Sequence, residues 1–392
     1  MIVEPDKSEP DALRAGCQGR VSSMAVWDMA ILAGTGLTLA VLAFALSAAL
    51  CARVARGPSF GLDDFPGGPL RHRIAVPLGG GLAVWLSTVA VLGLGALALK
   101  FGPPPLPGVI ARHVDGLRYR SGEMALILGL ATAVMIIGLF YDLFETGWWF
   151  RLGAQVALAV VLAASGCRVT LFWPLSYPAV GGLVTVLWVV GLTNAFTFLD
   201  NMDGLAAGVG LVASLLFAAA QVQMGGLFAP AVLLVLAGSL GGFLVYNRYP
   251  ARVFLGDSGG GFIGFLLGAM TVAGTYFRYG RDDSPSGVLS PLLVMAVPLY
   301  ESVWVFLFWL RERNNSFLRN RRHFSYRLLE SGLTPPQAVR VVVLVSLGAG
   351  LGAPLLHRLD ALGTLLVVGQ SACLIGVLAI LETASIRRER AR

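Results

Sequence analysis

The sequence predicts an all-α protein, a polytopic transmembrane helical bundle of about 10–11 spans with its polar site on the cytoplasmic face. Three observations carry this reading. Hydrophobic residues make up 56% of the chain and charged residues only 13%, for a mean hydropathy of +0.75. Apolar runs near the roughly 20 residues that cross a bilayer recur from end to end. Short acidic stretches stand at the ends of those runs.

Taken in order, residues 1–25 are polar and mixed in charge, which reads as a disordered tail without the basic-then-apolar order of a signal peptide. The membrane domain covers 26–382, with spans expected at 26–50, 76–99, 123–141, 152–166, 179–198, 204–224, 228–246, 260–276, 287–310, 337–356 and 361–381. The fourth and eighth are the shortest. Residues 383–392 form a basic C-terminal tail. The 49 glycines suit tight helix packing, because small residues let backbones approach within a membrane.

Orientation follows from the arginines and lysines. With the N-terminus outside, the inner loops and C-tail carry 18 of the 29 Lys and Arg residues. The acids at 142, 200–203 and 257 and the arginine-rich loop at 311–327 then share the cytoplasmic face of the cell's inner (plasma) membrane. The net charge of +7 is spread along membrane loops with no basic domain, which argues against a nucleic-acid partner and for lipid headgroups and phosphate ligands. Cys17, Cys51, Cys167 and Cys373 lack metal or redox spacing. There is no sequence repeat to support an inverted-repeat transporter.

Several segments carry candidate chemistry. In loop 1, Arg71, His72 and Arg73 precede Pro77 and Gly79, Gly80 and Gly81. Basic residues followed by glycines at a helix start can hold a phosphate on backbone N–H groups, or can be a turn with topogenic charge. Asp142 ends the third span, and Arg151 and Gln155 begin the fourth. Asp200 and Asp203 are three apart and share a face in a helical turn. Two such acids need a cation or a hydrogen-bond network to stay ionised, and hard oxygen ligands near phosphate suit Mg²⁺. The alternative is that Asp203 caps the sixth span. Asp257 stands between Gly256 and Gly259, where glycine lets backbone approach a ligand, or where the acid caps the eighth span. The arginines of loop 9, with His323 and Arg327, match phosphate geometry or simply orient the chain.

Together these segments resemble the polyprenyl-phosphate N-acetylhexosamine-1-phosphate transferases. The resemblance runs from about Asp64 to Ala338, with the motifs in family order. It rests on His72, Pro77, Gly80 and Gly81; on Gly138, Leu139 and Asp142; on Asn194, Ala195, Asp200, Asp203, Gly204, Leu205 and Ala206; and on Asn247, Pro250, Ala251, Phe254, Gly256, Asp257 and Gly259. There are departures. Tyr141 replaces the first acid of the family's D-D pair, Thr197 and Asn201 replace Asn and Gly, and Glu301 stands where the family has Asp. The family's H-x-H-H-R keeps only His323 and Arg327.

The resemblance implies transfer of an N-acetylhexosamine 1-phosphate, of GlcNAc type, from a UDP-sugar to undecaprenyl phosphate with release of UMP. It implies Mg²⁺ as cofactor, with Mn²⁺ as the alternative, and the lipid bilayer as a partner; small-residue helix faces would suit a homodimer. Asp142, Asp200, Asp203 and Asp257 are then the expected catalytic acids. Asp257 is the expected direct metal ligand, and Asp200 and Asp203 hold metal waters or the nucleotide. Asp142 serves the acceptor phosphate as base or positioner. His72, Arg151, Asn194, Asn247, His323 and Arg327 are the expected substrate contacts. The rival readings are a scaffold that has lost catalysis and a secondary transporter.

Overall fold

A computed structural model describes residues 11–57, 63–64, 76–101, 116, 119–144, 147–170, 177–276, 284–311 and 323–390, without the side chains of residues 11–29, 63–64, 99, 308–311, 324 and 382–390. The helices are α1 (Asp11–Val54), α2 (Gly80–Phe101), α3 (Ser121–Phe144), α4 (Trp148–Ala164), α5 (Pro178–Leu199), α6 (Leu205–Gln223) and α7 (Phe228–Asn247). They continue as α8 (Gly256–Ala273), α9 (Ser290–Val294), α10 (Ala296–Arg311), α11 (Phe324–Glu330), α12 (Pro335–Gly350) and α13 (Ala361–Arg390). One two-residue ladder pairs β1 (Asp63–Asp64) antiparallel with β2 (Val76–Pro77).

Among the described residues, eight helices are long and apolar enough to cross a membrane, which makes this a multi-pass membrane protein. The shorter apolar α4, the 18-residue α8 and a broken pair match the three remaining expected spans. Helix α1 begins at Asp11, inside the stretch read as a tail, and α13 runs through to Arg390. The ninth expected span, at 287–310, is not one helix. Pro285–Val294 and Ala296–Leu307 meet at Met295 with a bend of 62°. Pro298, in the first turn of α10, has no N–H to extend the preceding ladder, so the chain breaks there and restarts.

Helix ends follow local chemistry. Proline opens α5 at Pro178 and α12 at Pro335, where a missing N–H costs nothing. Thr334 and Gln337 close a capping box on α12, with the Thr334 N–H donating to Gln337 Oε1 at 2.9 Å.

Packing sorts the helices into a centre and a lipid-facing rim. The apolar stretches of α6 and α7 are 72% buried, against 17% for α1 and 11% for α13. In a bilayer, apolar surface gains nothing by leaving lipid, so close van der Waals contact must hold the centre. Glycines supply it. Gly238 and Gly242 of α7 lie against the backbone of Ala40 and Phe44 in α1, with no room for a Cβ. Helix α8 is gripped on three sides. Gly260, Gly264 and Gly268 form a stripe against Thr197, Leu192 and Val189 of α5. A Cβ on Gly81 of α2 would stand 2.5 Å from the Gly259 nitrogen, and one on Gly138 of α3 would stand 2.6 Å from Ser258 Cα. The N-terminus of α8 is thereby fixed where α2, α3 and α5 converge.

Candidate active site

The site is built on the first turn of α8. A helix N-terminus leaves backbone N–H groups without helical partners. Here carboxylates from two other helices take three of them. The N–H of Gly256 donates to Asp200 Oδ2 at 3.0 Å. The N–H groups of Asp257 and Ser258 donate to Asp142 Oδ1 and Oδ2 at 3.0 and 3.1 Å. Gly256 has φ +75°, and a Cβ there would stand 2.8 Å from Asp142 Oδ2, so only glycine serves. The helix dipole and the charge-assisted bonds favour both acids in this place.

The side chain of Asp257 points from the same turn to α4. Its Oδ2 accepts from Arg151 Nη1 at 2.6 Å, and the two side chains are only 23% and 12% exposed. The Arg151 guanidinium also lies 4.7 Å from the centre of the Tyr141 ring. One turn further along α4, Gln155 Oε1 accepts from Asn194 Nδ2 at 2.7 Å.

A second set of bonds ties the loop before α8 to the turn before α6. Asn247 is buried, and both ends of its amide are engaged. Its Oδ1 accepts from the Gly204 N–H at 2.8 Å, and its Nδ2 donates to the Val253 carbonyl at 2.9 Å. Asp203 Oδ2 accepts from the Ala251 N–H at 3.0 Å.

The loop after α5 also meets α11. Ser325 Oγ donates to Asn201 Oδ1 at 2.7 Å, and the Phe198 and His323 rings lie 6.2 Å apart. His323 Nδ1 is 2.6 Å from Oε1 of the fully buried Glu301. The Arg327 guanidinium, itself buried, sits 4.6 Å from the Trp304 ring centre.

Electrostatics mark the centre of this arrangement. Burial holds the Asp200 carboxyl well above the ordinary carboxylate range, and the charges of Asp257 and Asp142 push it the same way. Acids set this close are relieved by a cation. Among the described residues no three His, Cys, Asp or Glu side chains form a dedicated cage. The carboxylates of Asp200 and Asp257 are hard oxygen donors of the kind a magnesium-like ion would use, one or two at a time, with water and phosphate completing its shell.

The structure brings Asp142, Arg151, Asp200 and Asp257 together, and binds Asp203 and Asn247 to the same framework. Asp203 does not cap α6, whose N-cap is Gly204 at φ +80°. Asn247, one of the expected substrate contacts, braces two motif loops through both ends of its amide. Of the two readings of loop 1, the one in which its glycines present N–H groups to a phosphate is not what the described glycines do. The N–H of Gly80 donates to the Phe254 carbonyl at 2.9 Å, and that of Gly81 to the Leu255 carbonyl at 3.0 Å. These glycines pack α2 onto α8. His72 lies outside the described residues. His323 flanks the Phe198–Asn201 side of the site, and Arg327 lies against Trp304 one turn further along α11. Sequence reasoning missed the parts played by Tyr141, Gln155, Asn201, Glu301 and Ser325. Gln155 and Glu301, polar residues inside apolar runs, carried a usable signal.

Fold and site define a multi-pass helical membrane protein with an acid-lined polar centre where several helix ends meet. Residues 124–275 match glycosyl transferase family 4. The chain is 32% identical over 346 residues to the decaprenyl-phosphate N-acetylglucosaminephosphotransferase of Mycobacterium tuberculosis (strain ATCC 25618 / H37Rv), covering 79% of this chain and 81% of the relative. It is 25% identical over 297 residues to a probable undecaprenyl-phosphate N-acetylglucosaminyl 1-phosphate transferase of Bacillus subtilis (strain 168), covering 73% and 74%. An undecaprenyl-phosphate alpha-N-acetylglucosaminyl 1-phosphate transferase of Thermotoga maritima is 31% identical over 192 residues, 48% of this chain and 56% of the relative. The chain belongs to glycosyl transferase family 4.

Proposed function

We propose that the protein transfers N-acetylglucosamine 1-phosphate from a UDP-sugar to a polyprenyl phosphate, undecaprenyl phosphate in the first instance, at the cytoplasmic face of the plasma membrane. The observation that carries this is the convergence of Asp142, Asp200 and Asp257 on one helix turn beside Arg151, in a chain whose relatives bear the names of such transferases.

An oxygen of the lipid phosphate attacks the β-phosphorus of the nucleotide sugar. The bond from that phosphorus to the bridging oxygen breaks, and UMP leaves with the electron pair. A phosphate monoester has its second pKa near about 6, so at neutral pH most of the nucleophile is already a dianion and needs no strong base. The barrier is repulsion between a dianion and a diphosphate. Asp257 and Asp200 would hold a divalent cation, which would supply charge neutralisation on the diphosphate and the departing UMP. Arg151 adds a positive fork on the same side. Asp142 acts as a positioner, since both its oxygens hold the turn that carries Asp257. His323, oriented through Nδ1 by Glu301, and Arg327 line the sugar side. The bilayer holds the acceptor at the right depth and lowers the entropic cost of encounter.

The test is transfer of label from UDP-[¹⁴C]GlcNAc to undecaprenyl phosphate by purified protein in detergent. Lipid-linked label that disappears with EDTA and returns with Mg²⁺ is the expected result. Absence of label across a panel of UDP-sugars would return the protein to the scaffold reading.

A further inference from the structure

Arg151 has two neighbours of different character. Asp257 offers a charged partner at 2.6 Å, and Tyr141 offers a ring face at 4.7 Å. An acid in place of Tyr141 would clamp a guanidinium by a directional, two-pronged bond. A ring face attracts the cation without fixing its direction, over a range of about 6 Å. It steadies the guanidinium while leaving it free to move. Asp257 is also the carboxylate a divalent cation would use, and its Oδ2 is already taken by a positive group.

We infer that Arg151 is a displaceable counter-ion. It pairs with Asp257 when no divalent cation is bound, and yields that carboxylate to the cation when the donor arrives. Its fork then turns to the donor's diphosphate, with the Tyr141 ring as the platform it moves across. The inference rests on the reaction proposed above for the identity of the diphosphate, and on the ion pair alone for the competition. It gives Tyr141 a task that a lost acid would not have.

Two affinities, measured without turnover on purified protein in detergent, decide the matter. Free Mn²⁺ is followed by electron paramagnetic resonance, and UDP-GlcNAc binding by calorimetry in the presence of Mn²⁺. Arg151→Gln removes the competing charge, so Mn²⁺ should bind about tenfold tighter, a size fitting one charge a few ångströms away in a partly screened site. The same variant should bind UDP-GlcNAc about tenfold more weakly, for loss of a charge-assisted phosphate contact. A merely structural arginine would weaken both. Unchanged or weaker Mn²⁺ binding in Arg151→Gln overturns the inference. Should that variant fail to fold, Tyr141→Leu carries the test alone. It keeps the ion pair, so Mn²⁺ affinity should hold while UDP-GlcNAc affinity falls about threefold, within the range of a lost cation–π contact. Unchanged UDP-GlcNAc affinity in Tyr141→Leu overturns the platform. Label transfer scores the reaction separately, so either reading can fail while the other stands.

Discussion

Asp142 grips the turn that carries Asp257: its two oxygens accept the N–H groups of Asp257 and Ser258 at 3.0 and 3.1 Å, across 115 and 116 residues of sequence. An acid at the end of one span is thus the N-terminal cap of another. Its duty to stability and its duty to activity run through the same bonds.

Asp142→Asn should therefore do two things at once. The amide sets an N–H₂ group against a backbone N–H, so one of the two bonds is lost. A lost cap costs about 0.5–2 kcal/mol, which thermal unfolding in detergent would register as a lower Tm. Transfer activity should fall with it, because the Asp257 carboxylate is no longer held in place.

Asp257→Asn separates these effects. The side chain can still accept from Arg151, and the backbone N–H still meets Asp142. Label transfer should be abolished while Tm and the detergent elution profile stay near wild type. Near-normal turnover in this variant would remove Asp257 from the cation site.

Gly81 and Gly95 lie on the same helix and make a matched pair. A methyl at Gly81 meets the Gly259 backbone at 2.5 Å, and one at Gly95 meets nothing within 4 Å. Gly81→Ala should destabilise by about 1–3 kcal/mol, as overpacking does, and lower activity by displacing the start of α8. Gly95→Ala should be neutral or slightly stabilising, by up to about 1 kcal/mol. Equal Tm values for the two would contradict the packing described at α2 and α8.

The raised carboxyl of Asp200 makes a pH prediction with a definite sign. In the unfolded chain it ionises near about 3.9. In the folded protein it keeps its proton to higher pH, so the unfolded state gains by ionising first. Stability from this group is full below the unfolded value and falls as pH rises toward the folded one. In EDTA, Tm should decline over that window. Asp200→Asn should flatten the decline, and added Mg²⁺ should raise Tm most at the upper end. A Tm independent of pH in EDTA would deny Asp200 its place among neighbouring negative charges.

Glu301 is fully buried and 2.6 Å from His323. Removing Glu301 takes away the oxygen that His323 Nδ1 meets, and a buried polar group left without its hydrogen-bond partner costs about 1–3 kcal/mol. Glu301→Ala should lower stability by that order, and Glu301→Gln, which keeps an acceptor for Nδ1, by much less. A double-mutant cycle with His323→Ala measures the coupling, and additive losses would mean the two side chains act separately.

Much of this architecture was legible in the sequence, because a membrane writes its helices in runs of apolar residues. All eleven expected runs correspond to helical segments, and the bend at Met295 was the main surprise. It turns on where two helices pack around prolines. The acids were legible as a group, since polar residues beside apolar runs are expensive. Their individual duties were not. Whether Asp203 caps the helix that follows it or accepts from Ala251 depends on which backbone lies opposite, and that is set by contacts far along the chain. The glycines of loop 1 and of α8 could be read as ligand cradles or as plain turns and caps; they are sites where two backbones touch, a choice that only a packing partner can make. Tyr141 looked like a missing acid until Arg151 was found against its ring.

The brace at Asn247 bears on how such sequences drift. A single amide reaches both Gly204 and Val253, so the interval from Asn247 to Val253 is fixed in length as well as in chemistry. An inserted or deleted residue there would pull Val253 off the amide and move the start of α8. Homologous chains should therefore gain and lose residues in their other connections, and this interval provides a ruler for bringing distant sequences into register.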